Sequence, residues 1–457
     1  MLAAQKEWVL ESFTNRDPNW VMGLVQFGET LGEKCFALLE GKEGAQERTY
    51  LGFGQGWILS RQTFDQTETS NPDPLIHLRR FREANFPGMN FESGIIGYLD
   101  YEWGLHWQKP KASSATPHYF FRLCPVNIVI LPHYNKVILE VFAEEEDHLQ
   151  QVFNSWAEEL HHYFREYQPF SLSNSLDLKE VSCKVWQPNM SRENFLSRVE
   201  RIKEYIRAGD IFQAVLSQRF TLNLRIEPWS TYQKLRVLNP SPWLFCIFGE
   251  EETLVGSSPE LLISSIGSQI KTRPIAGTRP RGATAEEDQL RQKELLEDPK
   301  EMAEHAMLVD LGRNDIGRVS KYGSVDVSEY AGVQYFSHVM HIVSTVEGKL
   351  TTPYDSLDAL KAVFPAGTLS GAPKVRAMEI LQDLEPDYRG AYGGALGIFR
   401  WNGDLDFCIT IRTLTIQENE VSVQSGAGIV FDSVPEHEYK ETIYKANALF
   451  NVVNFSG

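Results

Sequence analysis

Through roughly the first 165 residues, short apolar runs alternate with turn residues, as in Phe36-Ala-Leu-Leu, Ile95-Ile-Gly-Tyr-Leu and Val126-Asn-Ile-Val-Ile-Leu. Runs of that length bounded by turn signals predict strands, and the acidic amphipathic stretch 144–164 predicts a helix after them. Over 168–190 the chain turns polar and serine-rich, which predicts a linker or surface crossing between a region 1–170 and a region 185–457. Ser191 then stands as an N-cap, Phe195, Val199, Ile202 and Ile206 recur at helical spacing, and Gly209 supplies the stop. Residues 211–220 read as a strand, and 261–265, 339–346, 409–416 and 421–423 add more. These strands are too closely spaced, and too rarely separated by helices, for a doubly wound parallel sheet. The pattern predicts an α+β fold of mostly antiparallel sheets packed with helices.

Two carboxylate pairs, Glu301-x-x-Glu304 and Glu438-x-x-Glu441, each lie just inside a helix-start signal. A spacing of three puts both members on one helix face. Asp298-Pro299-Lys300-Glu301 reads as a capping box, with Asp298 at the N-cap, Pro299 at the first helical position and Glu301 reaching back. Ser433 and Glu436 are spaced as a second box, with Lys445 one turn beyond Glu441. Any one of these acids alone is an ordinary solvated helix face. Two such helices meeting at a pocket would gather carboxylates that repel unless a cation sits among them, and Mg2+ is the simplest candidate.

Composition narrows the setting. With 457 residues, 42% of them hydrophobic, the chain can bury a large core. The 61 acidic against 44 basic residues, a net charge of -17, argue against a nucleic-acid or anionic-membrane surface. Five widely spaced cysteines without a C-x-x-C arrangement indicate neither a disulfide framework nor a zinc site, which fits a reducing cytoplasm. No basic-then-apolar leader begins the sequence, and no stretch approaches the roughly 20 apolar residues of a spanning helix.

Arg273-Pro-Ile-Ala-Gly-Thr-Arg-Pro-Arg-Gly282 packs three arginines and two glycines into ten residues. It is either a basic surface turn or a loop offering backbone N–H groups and guanidinium to a carboxylate or phosphate. Gly393-Gly-Ala-Leu-Gly397 and Gly426-Ala-Gly428 complete no dinucleotide fingerprint. Gly367-Thr-Leu-Ser-Gly-Ala-Pro-Lys374 has the wrong glycine spacing for a phosphate loop.

Read together and in order, Gly209-Asp-Ile-Phe-Gln-Ala-Val-Leu-Ser-Gln-Arg, Gly256-Ser-Ser-Pro-Glu260, the Arg273 segment, Glu301-Met-Ala-Glu-His-Ala-Met-Leu-Val-Asp-Leu-Gly-Arg-Asn-Asp315, Val339-Met-His-Ile-Val-Ser, Pro365-Ala-Gly-Thr-Leu-Ser-Gly-Ala-Pro-Lys, Ile411-Arg-Thr and Gly426-Ala-Gly-Ile-Val closely resemble the chorismate-utilising enzymes. The resemblance spans about residues 190–450. Within the family the pattern is most like the anthranilate synthase component I branch, with the aminodeoxychorismate synthase component I branch second.

The resemblance implies large antiparallel sheets packed as a sandwich with helices outside. It also implies a Mg2+-dependent site, in 185–457, for chorismate, a dianionic ring bearing an enolpyruvyl ether. Glu304 and Glu441 match the family's metal ligands, with Glu301 and Glu438 supporting them at one remove and Lys445 balancing charge nearby. Gly277 and Thr278 would meet the ring carboxylate held by the metal. Arg412 and Tyr392 match the residues that hold the pyruvyl carboxylate, assisted by backbone N–H groups around Gly426 and Gly428. The lesser reading of Arg412 is one half of a structural ion pair. Glu260 matches the general acid that protonates the departing ring hydroxyl, a task that requires burial to raise its pKa. His341 and Thr368 fall on positions thought to assist hydroxyl departure and the loss of pyruvate.

Members that add water resemble one another in carrying a lysine base where this chain has Gln213, whereas ammonia-adding members have glutamine. Water needs a base; ammonia already carries a lone pair. Ala276 stands where aminodeoxychorismate synthases that form a covalent intermediate have lysine, which points toward anthranilate and pyruvate as products. The alternatives are aminodeoxychorismate as product, or a non-catalytic subunit that binds a ligand or a partner. Relatives in the anthranilate branch bind tryptophan at a Leu-Leu-Glu-Ser and an Asn-Pro-Ser-Pro segment. This chain has Leu38-Leu39-Glu40-Gly41 and Asn239-Pro-Ser-Pro242-Trp243. The loss of the serine at Gly41 and the bulk of Trp243 predict weakened or lost feedback. No cysteine sits in a glycine-rich nucleophile elbow, so ammonia is expected from solution or from a glutamine amidotransferase partner.

Overall fold

The apolar runs bury their faces by pairing into two large antiparallel sheets. The structure, a computed structural model, describes residues 1–9, 19–43, 46–60, 73–86, 91–108, 117–166, 184–336 and 339–454. Among these, a 12-stranded sheet runs in the order Leu2–Val9, Lys136–Ala143, Val126–Leu131, Gln46–Phe53, Cys35–Glu43, Trp243–Phe248, Thr253–Ser258, Thr413–Gln417, Glu420–Ile429, Gln213–Asn223 and Gly371–Ala372, with Gln187–Pro188 on the flank of Gln213–Asn223. A 10-stranded sheet runs Ile275–Pro280, Val339–Lys349, Gln269–Thr272, Leu261–Ile266, Leu405–Ile409, Ala395–Arg400, Gly94–Leu99, Tyr119–Leu123 and Trp57–Ser60, with Asp326–Tyr335 also paired to Val339–Lys349.

Leu39, Tyr50, Phe245 and Ile247 of the first sheet meet Ile96, Tyr98, Phe120, Leu396 and Ile398 of the second in an apolar layer between them. Helices close the outer faces. Glu146–Glu166, Pro228–Leu238 and Pro435–Asn454 cover the first sheet, and Pro74–Asn85, Pro299–Gly317 and Ser356–Val363 cover the second. This is the expected α+β sandwich. Each sheet draws strands from both ends of the chain: Gly41 pairs with Trp243 in one, and Leu99 with Ala395 in the other.

The helix expected after Ser191 is Arg192–Arg207; the Ser191 hydroxyl accepts the Asn194 N–H at 3.2 Å, and Gly209 takes φ +81° just past the end. Of the expected linker at 168–190, residues 168–183 lie outside the described residues. The run 409–416 corrects the sequence reading. Leu405–Ile409 belongs to the 10-stranded sheet and Thr413–Gln417 to the 12-stranded one, so the chain changes sheets over Thr410, Ile411 and Arg412, with Arg412 at φ +49°. A second crossing, at Ser258-Pro259-Glu260, lies beside it. Ile409 N–H donates to the Glu260 carbonyl (3.0 Å), Ser257 N–H to the Arg412 carbonyl (3.1 Å), and the Ser258 hydroxyl to the Ile409 carbonyl (2.6 Å). Strands that switch sheets make the corners of a sandwich, and here both corners carry a chemically distinctive side chain.

Candidate active site

Glu260 follows directly from its corner. It is buried, its Oε1 accepts the Thr368 hydroxyl at 2.8 Å, and burial pushes its carboxyl up to about 7 against the lowering influence of Thr368, Lys445 and Arg412. Arg412, at the adjacent corner, makes no side-chain hydrogen bond or salt bridge among the described residues, and burial lowers its pKa, with Glu260 opposing. The structural ion pair that would explain this arginine is therefore missing, and its charge faces Glu260 unneutralised. A half-buried guanidinium without a partner is a ready seat for something anionic.

His341 lies on Val339–Lys349, with Nδ1 3.0 Å from the Gly277 carbonyl and 3.0 Å from the Thr278 hydroxyl. A carbonyl only accepts, so the Gly277 contact puts the ring proton on Nδ1 and leaves Nε2 with a lone pair. Burial first, then Arg412 and Lys445, hold the imidazole down to about 4, so it is neutral. Gly277 occupies a bulge opposite this histidine at φ +63°, a conformation that favours glycine.

The second wall is acidic. Asp298 caps Pro299–Gly317 by accepting the Lys300 and Glu301 N–H groups, as expected. Glu301 does not complete the box: its carboxylate meets Arg279 Nη1 at 2.9 Å, and the same guanidinium reaches Asp298 at 2.8 Å. Arginine from the Arg273–Gly282 segment thus takes the role assigned to the cap backbone. Glu304 accepts Gln213 Nε2 at 3.1 Å, and burial, then Glu301, then Glu441 push its carboxyl up. Gln213 Oε1 is buried without a partner. Gly428 lies against this amide: a Cβ there would come within 2.7 Å of Gln213 Nε2.

The helix Pro435–Asn454 begins one residue later than the Ser433 box predicts. Ser433 accepts the Val430 N–H instead, and Glu436 pairs with Arg192. Glu438 is pushed up by burial and Glu441. Lys445 bridges Glu441 (2.7 Å) and the Gly426 carbonyl (2.9 Å). Gly426 also makes room for Tyr392, whose hydroxyl would lie 2.9 Å from a Cβ there.

The structure thus brings Glu260, Thr368, Arg412 and Lys445 to one side, Gln213, Glu304, Glu301 and Glu441 to another, and His341, Gly277 and Thr278 to a third. Residues 34–451 match the family model described as chorismate binding enzyme. The chain belongs to the chorismate-binding enzymes. It is 41% identical to anthranilate synthase component 1 of Acetivibrio thermocellus over 454 residues, covering 93% of this chain and 91% of the relative. It is also 41% identical to aminodeoxychorismate synthase component 1 of Bacillus subtilis (strain 168), over 82% of this chain and 80% of that one. Among solved structures it resembles anthranilate synthase component I of Streptococcus pneumoniae TIGR4, with a TM-score of 0.73, 34% identity and 92% of each chain covered.

In this chorismate-binding enzyme the segments around Leu38 and Trp243 are adjacent strands, Gly41 opposite Trp243 and Glu40 opposite Leu244. The indole lies over Gly41, where a Cβ would come within 2.9 Å of the ring. Glu40 is buried and engaged: Arg236 Nε and Nη2 grip its two oxygens at 2.8 and 2.9 Å, and Tyr232 donates to it as well. Leu38 is sealed in the core, and Pro242 leads into the Trp243–Phe248 strand. Sequence reasoning missed Arg279 as the partner of Glu301, although the arginine-rich segment was the available signal. It also missed Arg389 and Glu385, which no motif marked. No helix among the described residues is long and apolar enough to cross a membrane.

Proposed function

We propose that this enzyme converts chorismate and ammonia to anthranilate and pyruvate. The observation that carries the reading is Glu260, its carboxyl pushed up to about 7 by burial and set beside a half-buried arginine that makes no side-chain hydrogen bond or salt bridge among the described residues. Arg412 and the Tyr392 hydroxyl take the pyruvyl carboxylate of the substrate, and Gly277 and Thr278 meet the ring carboxylate. Glu260 gives its proton to the departing ring hydroxyl, which leaves as water. Gln213, bonded to Glu304, offers ammonia an acceptor oxygen instead of a base. His341, neutral and protonated on Nδ1, can remove the ring proton through Nε2 when pyruvate is lost.

The acidic wall suits Mg2+. Its donors are all carboxylate oxygens, and the charges of Glu301 and Glu441 already resist ionisation of Glu304. No three His, Cys, Asp or Glu side chains form a ready metal cage among the described residues. Glu304 and Glu441 would hold the ion, with Glu301 and Glu438 supporting. Bound there, it would anchor and polarise the ring carboxylate.

Ammonia is supplied from solution or by a glutamine amidotransferase partner, as a component I needs. Tryptophan feedback is weakened or absent, because Trp243 covers Gly41 and Arg236 engages Glu40. The aminodeoxychorismate reading keeps support from the 41% identity to the Bacillus subtilis relative.

Incubating the chain with chorismate, Mg2+ and an ammonium salt tests the proposal. Anthranilate fluorescence is the expected result, aminodeoxychorismate without pyruvate favours the second reading, and untouched chorismate overturns both. Glu304→Gln and Glu441→Gln are expected to abolish Mg2+-dependent turnover with the thermal transition retained; full activity in either sinks the metal assignment.

A further inference from the structure

We propose that Arg389 is a positioning residue that fixes Thr368 and Tyr392 relative to the strand carrying Gln213, so that the acid and nucleophile sides of the site keep one geometry. The proposal rests on the reaction proposed above. Arg389 lies outside the motifs that mark the site, three residues before Tyr392; its side chain is only 1% exposed and its donors are spread over three elements. Nε and Nη2 fork onto the two oxygens of Glu385, each at 2.7 Å, just past the helix Lys374–Leu384. Nη1 donates to the Leu369 carbonyl at 2.6 Å, one residue from Thr368. Nη2 also donates to the Val215 carbonyl at 2.7 Å, two residues from Gln213. The guanidinium lies 4.3 Å from the Tyr101 ring centroid and 5.7 Å from that of Tyr392.

The surroundings complete the clamp. Glu385 Oε1 also accepts the Ser217 N–H and hydroxyl, each at 2.8 Å, which ties the same strand a second time. The Arg389 and Gly390 N–H groups donate to the buried Glu102 at 2.7 and 3.1 Å, anchoring the loop that leads to Tyr392. A planar fork with donors at fixed angles can hold a carboxylate and two separate carbonyls at once, whereas a lysine ammonium on a flexible stem cannot hold that geometry.

An ion pair that only stabilises the fold also predicts a lower melting temperature on substitution, so stability does not discriminate. A mutant cycle does. Arg389→Lys, Thr368→Val and the double variant are assayed with chorismate and ammonium over a range of pH. If Arg389 acts through Thr368, Arg389→Lys lowers kcat by up to the order of 10²-fold, the loss that small misplacements produce, and the double variant is no slower than Thr368→Val alone. The Thr368 hydroxyl holds the Glu260 pKa down, so the basic limb of the rate profile also moves to higher pH in Arg389→Lys, toward that of Thr368→Val. Losses that multiply, with an unmoved basic limb, overturn the proposal. Where Arg389→Lys does not fold, Glu385→Gln takes its place with the same two outcomes. A wild type that leaves chorismate untouched sinks the reaction, and hydrogen exchange then tests the clamp by itself. Faster exchange of the Leu369 and Ser370 amides, both bonded to the Ala366 carbonyl, supports it, and unchanged exchange there overturns it.

Discussion

Glu260 and His341 carry their titrations in opposite directions for one reason: burial penalises whichever form is charged. The carboxyl sits at about 7 and the imidazole at about 4. A general acid works while protonated, so kcat/KM is expected to fall roughly tenfold per pH unit above about 7. No acid limb near 6.5 should appear, since His341 is already neutral there. A limb near 6.5 that disappears in a His341 variant would contradict this. Stability follows the same group. Unfolded, Glu260 ionises from its ordinary 4.5; folded, only near 7. Between those values the unfolded chain binds fewer protons, so its contribution to stability falls by about 3 kcal/mol as pH rises, then levels off. Glu260→Gln is therefore expected to be inactive yet to melt higher than wild type at pH 8, with the advantage shrinking toward pH 5 in thermal scans.

Strands and helices were legible where their signals are local. The Ser191 cap, the Gly209 stop and the Asp298-Pro299 start each rest on neighbours within a few residues, and each was found where the sequence placed it. The run 409–416 reads as one strand because Ile409, Thr413 and Ile416 belong to a continuous β-prone pattern; what divides it is which sheet each half joins, a long-range fact. The same limit hid Arg389, whose partners at Val215 and Leu369 are carbonyls that no side-chain pattern announces. The site was legible through motif order, not through any single residue. Cross-strand geometry at Gly41 gives a further test. Gly41→Ser restores the serine of the related segment, but its Cβ would press on the Trp243 ring. The expected loss is about 1–3 kcal/mol by chemical denaturation, with no gain of tryptophan sensitivity. Micromolar inhibition of the wild type by tryptophan would refute the covered-pocket reading.

Across the molecule, the strands contributed by residues 1–170 and those after 185 are neighbours in both sheets. A fragment 185–457 would leave the Trp243–Phe248 and Ala395–Arg400 edges unpaired and expose Phe245, Ile247, Leu396 and Ile398, which now lie between the sheets. Such edges invite association with other chains. Expressed alone, the fragment is expected to aggregate or to lack a cooperative thermal transition, and mixing in the N-terminal piece should recover part of it. A soluble, cooperatively melting fragment would show that the catalytic region is self-sufficient.

That interleaving also governs how the chain is made. The strand Gln213–Asn223 pairs along nearly its whole length with Glu420–Ile429, and one edge of Gly94–Leu99 waits for Ala395–Arg400. Pairings over such sequence separation form slowly, because loop closure precedes any contact that rewards it. A ribosome therefore releases most of this protein before either sheet can close. During that interval the strands of the first half can pair with one another, but the Cys35–Glu43 and Gly94–Leu99 edges stand unmatched, so the newborn chain, more than the finished enzyme, is where dependence on a chaperone should be sought.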